Sequence, residues 1–276
     1  MPNTDAPDEE PPAFWAERGF FPVDTLADRD STHAPLTTDP HYKNIEFLRL
    51  KDFALHLLGP RRDMLILDLG CADGAQMVYC GLQGATVYGQ DLSQEQVDRV
   101  NQKLAYLHLV GEARVGDATE LSFDTATFDA VISSDFHEHL DAPAQVAALR
   151  ECLRVLKPGG TLVLKTPNLG YLRASLWYKR LRALLHGRTP FGYTIPHAKG
   201  SFDPQHVGLT TRWHLARHLH EAGFLNWEFH YAALRRFGLR PLMDVASTEV
   251  PILRDWLCED LVCRAWKPIA LSHFPD

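Results

Sequence analysis

The 276 residues are 45% hydrophobic and 23% charged, which supplies a core for one elaborated α/β domain or two small ones. A formal net charge of −7 argues against a surface given over to nucleic acid, so DNA is not an expected partner, although a local basic patch stays open. The five cysteines (Cys71, Cys80, Cys152, Cys258, Cys263) contain no C-x-x-C pair, which excludes a zinc ribbon or disulfide framework and suits reduced thiols in a cytoplasmic protein.

Along the chain, residues 1–12 are acidic and proline-rich, lack signal-peptide character and predict a disordered tail. Phe14, Trp15, Phe20 and Phe21 are expected to pack back on the body, and apolar spacing over 41–58 predicts a helix stopped by Gly59-Pro60, so 13–60 reads as an N-terminal helical cap. Strand and helix then alternate through a core over 61–166. Met64–Leu69 is an apolar strand before a glycine turn, 75–82 a helix, and Ala85–Gly89 a second strand. Ser93 with Gln96 predicts a capping box; Ala113–Val115 and Phe128–Ile132 are strands three and four. A helix over 143–156 ends at Lys157-Pro-Gly-Gly160, ahead of a fifth strand, Thr161–Leu164. The alternation breaks over 167–209, an inserted cap, and resumes over 210–276 with a helix at 210–222 and strands at 225–231 and 257–266 paired antiparallel. The expected fold is α/β and Rossmann-like, with helices on both faces of a mostly parallel seven-stranded sheet. No apolar run approaches the ~18 residues of a membrane span.

Ligands of such sheets sit at the carboxyl ends of the strands. Strand one runs into Asp68-Leu-Gly70-Cys-Ala-Asp-Gly74, whose glycines allow a tight turn and close backbone approach. Strand two ends at Asp91, where a carboxylate can accept from both hydroxyls of a ribose; strand three ends at Gly116-Asp117-Ala118, where an acid can receive an adenine amino group. The G-x-x-x-G spacing departs from the G-x-G-x-x-G of dinucleotide sites.

Ile66–Gly74, Asp91, Gly116-Asp117-Ala118, Phe128–Ile132 and Leu156–Leu162 together resemble, in order and spacing, the motifs of class I S-adenosylmethionine (SAM)-dependent methyltransferases. The resemblance implies SAM as cofactor, with Gly70 and Ala72 near its methionine portion, Asp91 on the ribose and Asp117 with Ala118 at the adenine. It extends the cofactor set to Asp68, Cys71, Leu92, Ser133 and Ser134. Ala72 departs from the glycine usual at its position.

On the acceptor side, Ser133-Ser-Asp-Phe-His-Glu-His-Leu140 crowds titratable groups after strand four. Glu138 and His139 either brace the next helix or do chemistry, with His137 or His139 as general base. The stretch resembles ubiquinone-biosynthesis O-methyltransferases, which implies Asp135, Glu138 and His139 as ligands of a divalent cation such as Mg; aspartate at the first position shortens that ligand. Asp203-Pro-Gln-His206 resembles the methionine-biosynthesis methyltransferase-like proteins and adds His206 as a second base, ahead of His197. His214, His218 and His220 on one helix read as surface histidines. From Thr161 to Phe202 there are seven basic residues (Lys165, Arg173, Lys179, Arg180, Arg182, Arg188, Lys199) and no acid. Leu172, Leu176, Trp177, Leu181, Leu184 and Leu185 recur between them at helical spacing. The basic residues either form a solvated helix face or recognise an anionic acceptor. The expected function is methyl transfer to a hydroxyl of an acidic or phenolic small molecule. The alternatives are an RNA or protein methyltransferase and a SAM-binding regulatory partner of another enzyme.

Overall fold

In a computed structural model of the protein, residues 53–195, 198, 205–231 and 251–269 are described. The expectations for 1–52, including the aromatic residues and the start of the helix at 41, lie outside them, as do those for His197 and Lys199. The chain divides into two compact units: Met1–Asp117 with Phe128–Ile132, and Ala118–Thr127 with Ser133–Asp276.

In the first unit, α1 (Phe53–Leu58) buries Ala54, Leu55 and Leu58 and stops at Gly59, whose φ of 58° ends the helix. The unbroken apolar run forms β1 (Leu65–Leu69), buried from Ile66 onward as a strand covered on both faces should be. α2 (Ala75–Leu82) follows the glycine turn, and β2 (Thr86–Asp91) lies parallel to β1 with Leu65 opposite Thr86. α3 (Gln94–Tyr106) presents Val97, Val100 and Leu104 inward at helical spacing. β3 (Gly111–Val115) pairs parallel with β2, and β4 (Phe128–Ser134), two residues longer than predicted, pairs parallel with β1.

The capping box closes on one side only. Ser93 Oγ accepts from the Gln96 N–H at 3.3 Å, but Gln96 Oε1 has no partner among the described residues. The Ser93 N–H, which a full box would give to Gln96, donates instead to Asp91 Oδ1 at 2.9 Å. The end of β2 and the start of α3 are therefore locked together through a carboxylate.

In the second unit, α4 (Ala142–Val155) starts on Asp141, whose side chain accepts from the Ala144 N–H. β5 (Leu156–Pro167) corrects the expected start of the fifth strand at Thr161. The strand begins at once because Gly159 donates to Lys267 O at 3.0 Å and Lys267 donates back to Gly160 O at 2.9 Å. α5 (Leu169–Leu185) is the cap helix, and α6 (Arg212–Ala222) ends on Gly223 in the left-handed region. β6 (Asn226–His230), α7 (Pro251–Leu257) and β7 (Asp260–Trp266) complete it, with β7 antiparallel to β6, as expected, and also to β5. The sheet runs β3-β2-β1-β4-β5-β7-β6, so strand order reverses at β1. That is where an open α/β sheet takes its ligand. Among the described residues, no helix is long and apolar enough to cross a membrane.

The stripe predicted for α5 does not form a buried face. Leu172 and Leu176 are half-buried, whereas Trp177, Leu181, Leu184 and Leu185 are exposed and Ala183 is the buried residue. Arg173, Lys179, Arg182 and Arg188 are exposed between them.

Candidate active site

The first unit gathers three strand ends. Leaving β1, the chain passes through Gly70, Ala72 and Gly74, all in the left-handed region at φ 72°, 43° and 76°. This path turns the Ala72 N–H onto Asp91 Oδ2 at 2.9 Å, while Gly70 donates to Gln90 O at 2.9 Å. Asp91 thus has one oxygen on the glycine loop and the other on the N-terminus of α3. Each oxygen keeps a lone pair for a further donor. A second tie comes from Lys103, 3% exposed, whose Nζ donates to Asp73 O at 2.6 Å and lies 3.4 Å from Asp73 Oδ2. At the third strand end, Gly116 donates to Asp91 O and Gln90 Nε2 donates to Asp117 O at 2.7 Å. The glycine is required there, since a Cβ at 116 would lie 2.6 Å from Gln90 Nε2. Asp68 is buried, Leu92 and Asp117 are exposed, and Cys71 is buried with its thiol pushed well up by burial and by Asp68, so it stays neutral.

In the second unit, Ala118 and Ser133 are buried and Ser134 is half-buried. After β4, a single 3-10 turn, His137–His139, sorts its residues by face. Glu138 is 1% exposed and accepts from Thr166 Oγ1 at 2.9 Å; burial holds its carboxyl above the usual carboxylate range. His139 is exposed, with Nδ1 3.2 Å from Gln205 O, and its ring lies edge-on to His206 at 5.0 Å between centroids. One ligand atom each from Glu138, His139 and His206 lies within 4.8 Å of the others. Asp135 is outside this group: it sits at φ 55° and ion-pairs with Lys165 Nζ at 2.5 Å. His137, expected as a base, is instead buried, its pKa pushed down to about 3 by burial and by His218. His218 corrects a second expectation, being 4% exposed where a surface histidine was predicted; His214 and His220 are exposed.

The segment carrying His206 is clamped to this turn. Gly208 donates to Glu138 O at 2.9 Å, and Gln145 Nε2 donates both to His137 O (2.9 Å) and to Gly208 O (2.7 Å). A Cβ at 208 would fall 1.9 Å from Leu140 O, so the seam depends on glycine.

Against known proteins, residues 67–164 match a family model described as a methyltransferase domain, and the match spans the strand ends just described. This stretch is a methyltransferase domain. The chain is similar to the ubiquinone biosynthesis O-methyltransferase of Xanthomonas oryzae, 35% identical over 147 residues (51% of this chain, 55% of that protein). The human mitochondrial protein of the same name is 34% identical over 158 residues (54% and 42%). The chain spans about half the length of the curated relatives it matches. Among solved structures, geranyl diphosphate methyltransferase in complex with SAM aligns with TM-score 0.54 at 19% identity, over 90% of this chain and 96% of that one. The YcgJ protein of Bacillus subtilis aligns at 0.53 and 14%, over 78% and 97%. These likenesses establish the class I methyltransferase fold.

Each unit uses residues that motif reading passes over. Lys103 and Gln145 are polar groups on otherwise apolar faces, beside Val100 and Leu104 and beside Val146 and Leu149. A cation or amide on a core-facing stripe is the available signal that a buried backbone group needs a partner. For Thr166 no such signal exists, because a threonine in a strand is ordinary.

Proposed function

We propose that the chain is a SAM-dependent methyltransferase acting on a hydroxyl of a small acidic or phenolic molecule. The supporting observation is Asp91, a carboxylate fixed at both oxygens at the end of β2, with lone pairs left for the two hydroxyls of a ribose. The left-handed path through Gly70, Ala72 and Gly74 leaves a compact loop that suits the close approach of a cofactor's methionine end, with Asp68 and Cys71 beside it. Leu92 and Asp117 complete the first unit's part of the set that would hold the adenosine. SAM, when bound, supplies an electrophilic methyl group and leaves as S-adenosylhomocysteine.

The chain's own work lies in alignment and in the acceptor's proton. A carbonyl oxygen can only accept, so the contact to Gln205 O puts the His139 proton on Nδ1 and leaves Nε2 basic. His139, with His206 beside it, takes the hydroxyl proton as the oxygen gains its methyl group. Exposed Arg173, Lys179 and Arg182 on α5, with Arg188 just beyond it, favour an acidic acceptor over a neutral one. The similarity to O-methyltransferases over the shared segment supports oxygen as the atom methylated.

The test is incubation with methyl-labelled SAM and fractionated cell extract. Label in the small-molecule fraction is the expected result. Label confined to RNA or protein, or no label, overturns the acceptor assignment.

A further inference from the structure

We propose that Glu138, His139 and His206 form a binding site for a divalent cation of the imidazole-preferring, borderline class, with Zn2+ favoured over Mg2+. The proposal departs from the Asp135, Glu138 and His139 set that the sequence resemblance implied. Asp135 is engaged by Lys165, and the third ligand comes from a different segment. That exchange replaces an oxygen donor by a nitrogen. Two imidazoles and one carboxylate suit zinc and its neighbours, whereas Mg2+ takes oxygen ligands and keeps its waters.

Three features make this more than a chance cluster. The ligand atoms lie within 4.8 Å of one another, and tetrahedral coordination places ligands about 3.4 Å apart, so the group needs to contract by little more than about 1 Å to close on a cation. Two of the ligands already have outer partners: Gln205 O takes the His139 Nδ1 proton, which leaves Nε2 as the nitrogen free to ligate, and Thr166 Oγ1 holds one oxygen of Glu138. Finally, His206 sits on a segment that is hydrogen-bonded on both sides. Gly208 and Gln145 bind its segment to the 3-10 turn, and His206 bridges to Ala198 on its other side. Three protein ligands leave a coordination position open, and the exposure of His139 gives a cation a way in.

The binding claim needs no cofactor and is independent of methyl transfer. Its consequence rests on the methyltransferase reading and replaces one assignment in it: with the cation bound, His139 and His206 are ligands and not bases, and an acceptor hydroxyl in the open position would have its pKa lowered and release its proton to solvent.

The experiment is calorimetric titration of chelator-treated full-length protein with ZnCl2 and separately with MgCl2, with Co2+ visible absorption as a second readout of wild type. One Zn2+ per chain should bind about 100-fold or more tightly than Mg2+, and Co2+ should show the intense bands of low coordination. His206→Ala should weaken Zn2+ by about 100-fold and Thr166→Val by roughly tenfold, each with an unchanged circular dichroism spectrum, while Asp135→Asn and His214→Ala leave it unchanged. Tighter Mg2+ than Zn2+ in wild type overturns the proposal without any variant. So does loss of binding in Asp135→Asn with retention in His206→Ala. Methyl transfer that persists in chelator, without Zn2+ binding, sinks this site and spares the methyltransferase reading; Zn2+ binding without methyl transfer does the reverse.

Discussion

Ala72 occupies φ 43°, a conformation that costs an L-residue with a Cβ about 1–2 kcal/mol. Its N–H is nevertheless where the loop meets Asp91, so the strain is held in place by a charge-assisted hydrogen bond. Ala72→Gly should relieve that strain. It also frees the unfolded chain by about 0.4–1 kcal/mol, leaving a net gain of up to about 1 kcal/mol in denaturant unfolding. A loss of stability would show that the methyl group packs usefully. The sequence signals the unusual residue, since glycine is usual there, but not its partner. That partner is a carboxylate nineteen residues later, brought close by the parallel register of β1 and β2. Asp91 itself is readable from its place at a strand end. Its second role, bridging to Ser93, is hidden because it takes a bond that the capping-box pattern assigns to Gln96.

At the scale of elements, the 3-10 turn and α6 meet around two buried imidazoles. His137 Nε2 and His218 Nδ1 lack hydrogen-bond partners among the described residues, and burial lowers both pKa values, that of His137 to about 3. Between that value and the ordinary 6.5, the unfolded chain binds a proton that the folded chain refuses. Stability is therefore full above pH 6.5 and falls as pH drops, by at most about 1.4 kcal/mol per pH unit for each group. Glu138 acts oppositely: its raised pKa adds stability at low pH that is lost as pH rises. The denaturant midpoint of wild type should fall between pH 6.5 and 5, and His137→Gln should flatten that fall. Equal slopes in the two proteins would remove His137 from the account. The elements themselves were readable wherever periodicity was strong: β1, α2 and α4 fall within a residue or so of expectation. Sequence reading places the fifth strand five residues late, at Thr161, because proline and glycine read locally as a helix stop, whereas Lys157–Gly160 lie in a strand paired through Lys267, which a local pattern cannot anticipate. The α5 stripe failed for the converse reason, as helical spacing reports a face without reporting what covers it.

Across the whole molecule, the stretch 67–164 that matches the methyltransferase family model carries the strand ends proposed to hold the cofactor, and Glu138, His139 and His206 form a polar cluster drawn from two distant segments. The first is legible because its candidate residues follow one another at strand ends in chain order. The second is legible only in part: Glu138 and His139 share one turn, but His206 joins them through the Gly208–Gln145 seam, a contact with no local sequence trace.

The most direct measurement is a calorimetric titration of SAM into the full chain and into Asp91→Asn. Wild type should bind SAM one to one. The variant, still folded by circular dichroism, should bind at least roughly tenfold more weakly, because charge-assisted bonds to ribose hydroxyls are worth about 1.5–3 kcal/mol each. Unchanged affinity in Asp91→Asn, or no binding by wild type, would contradict the account.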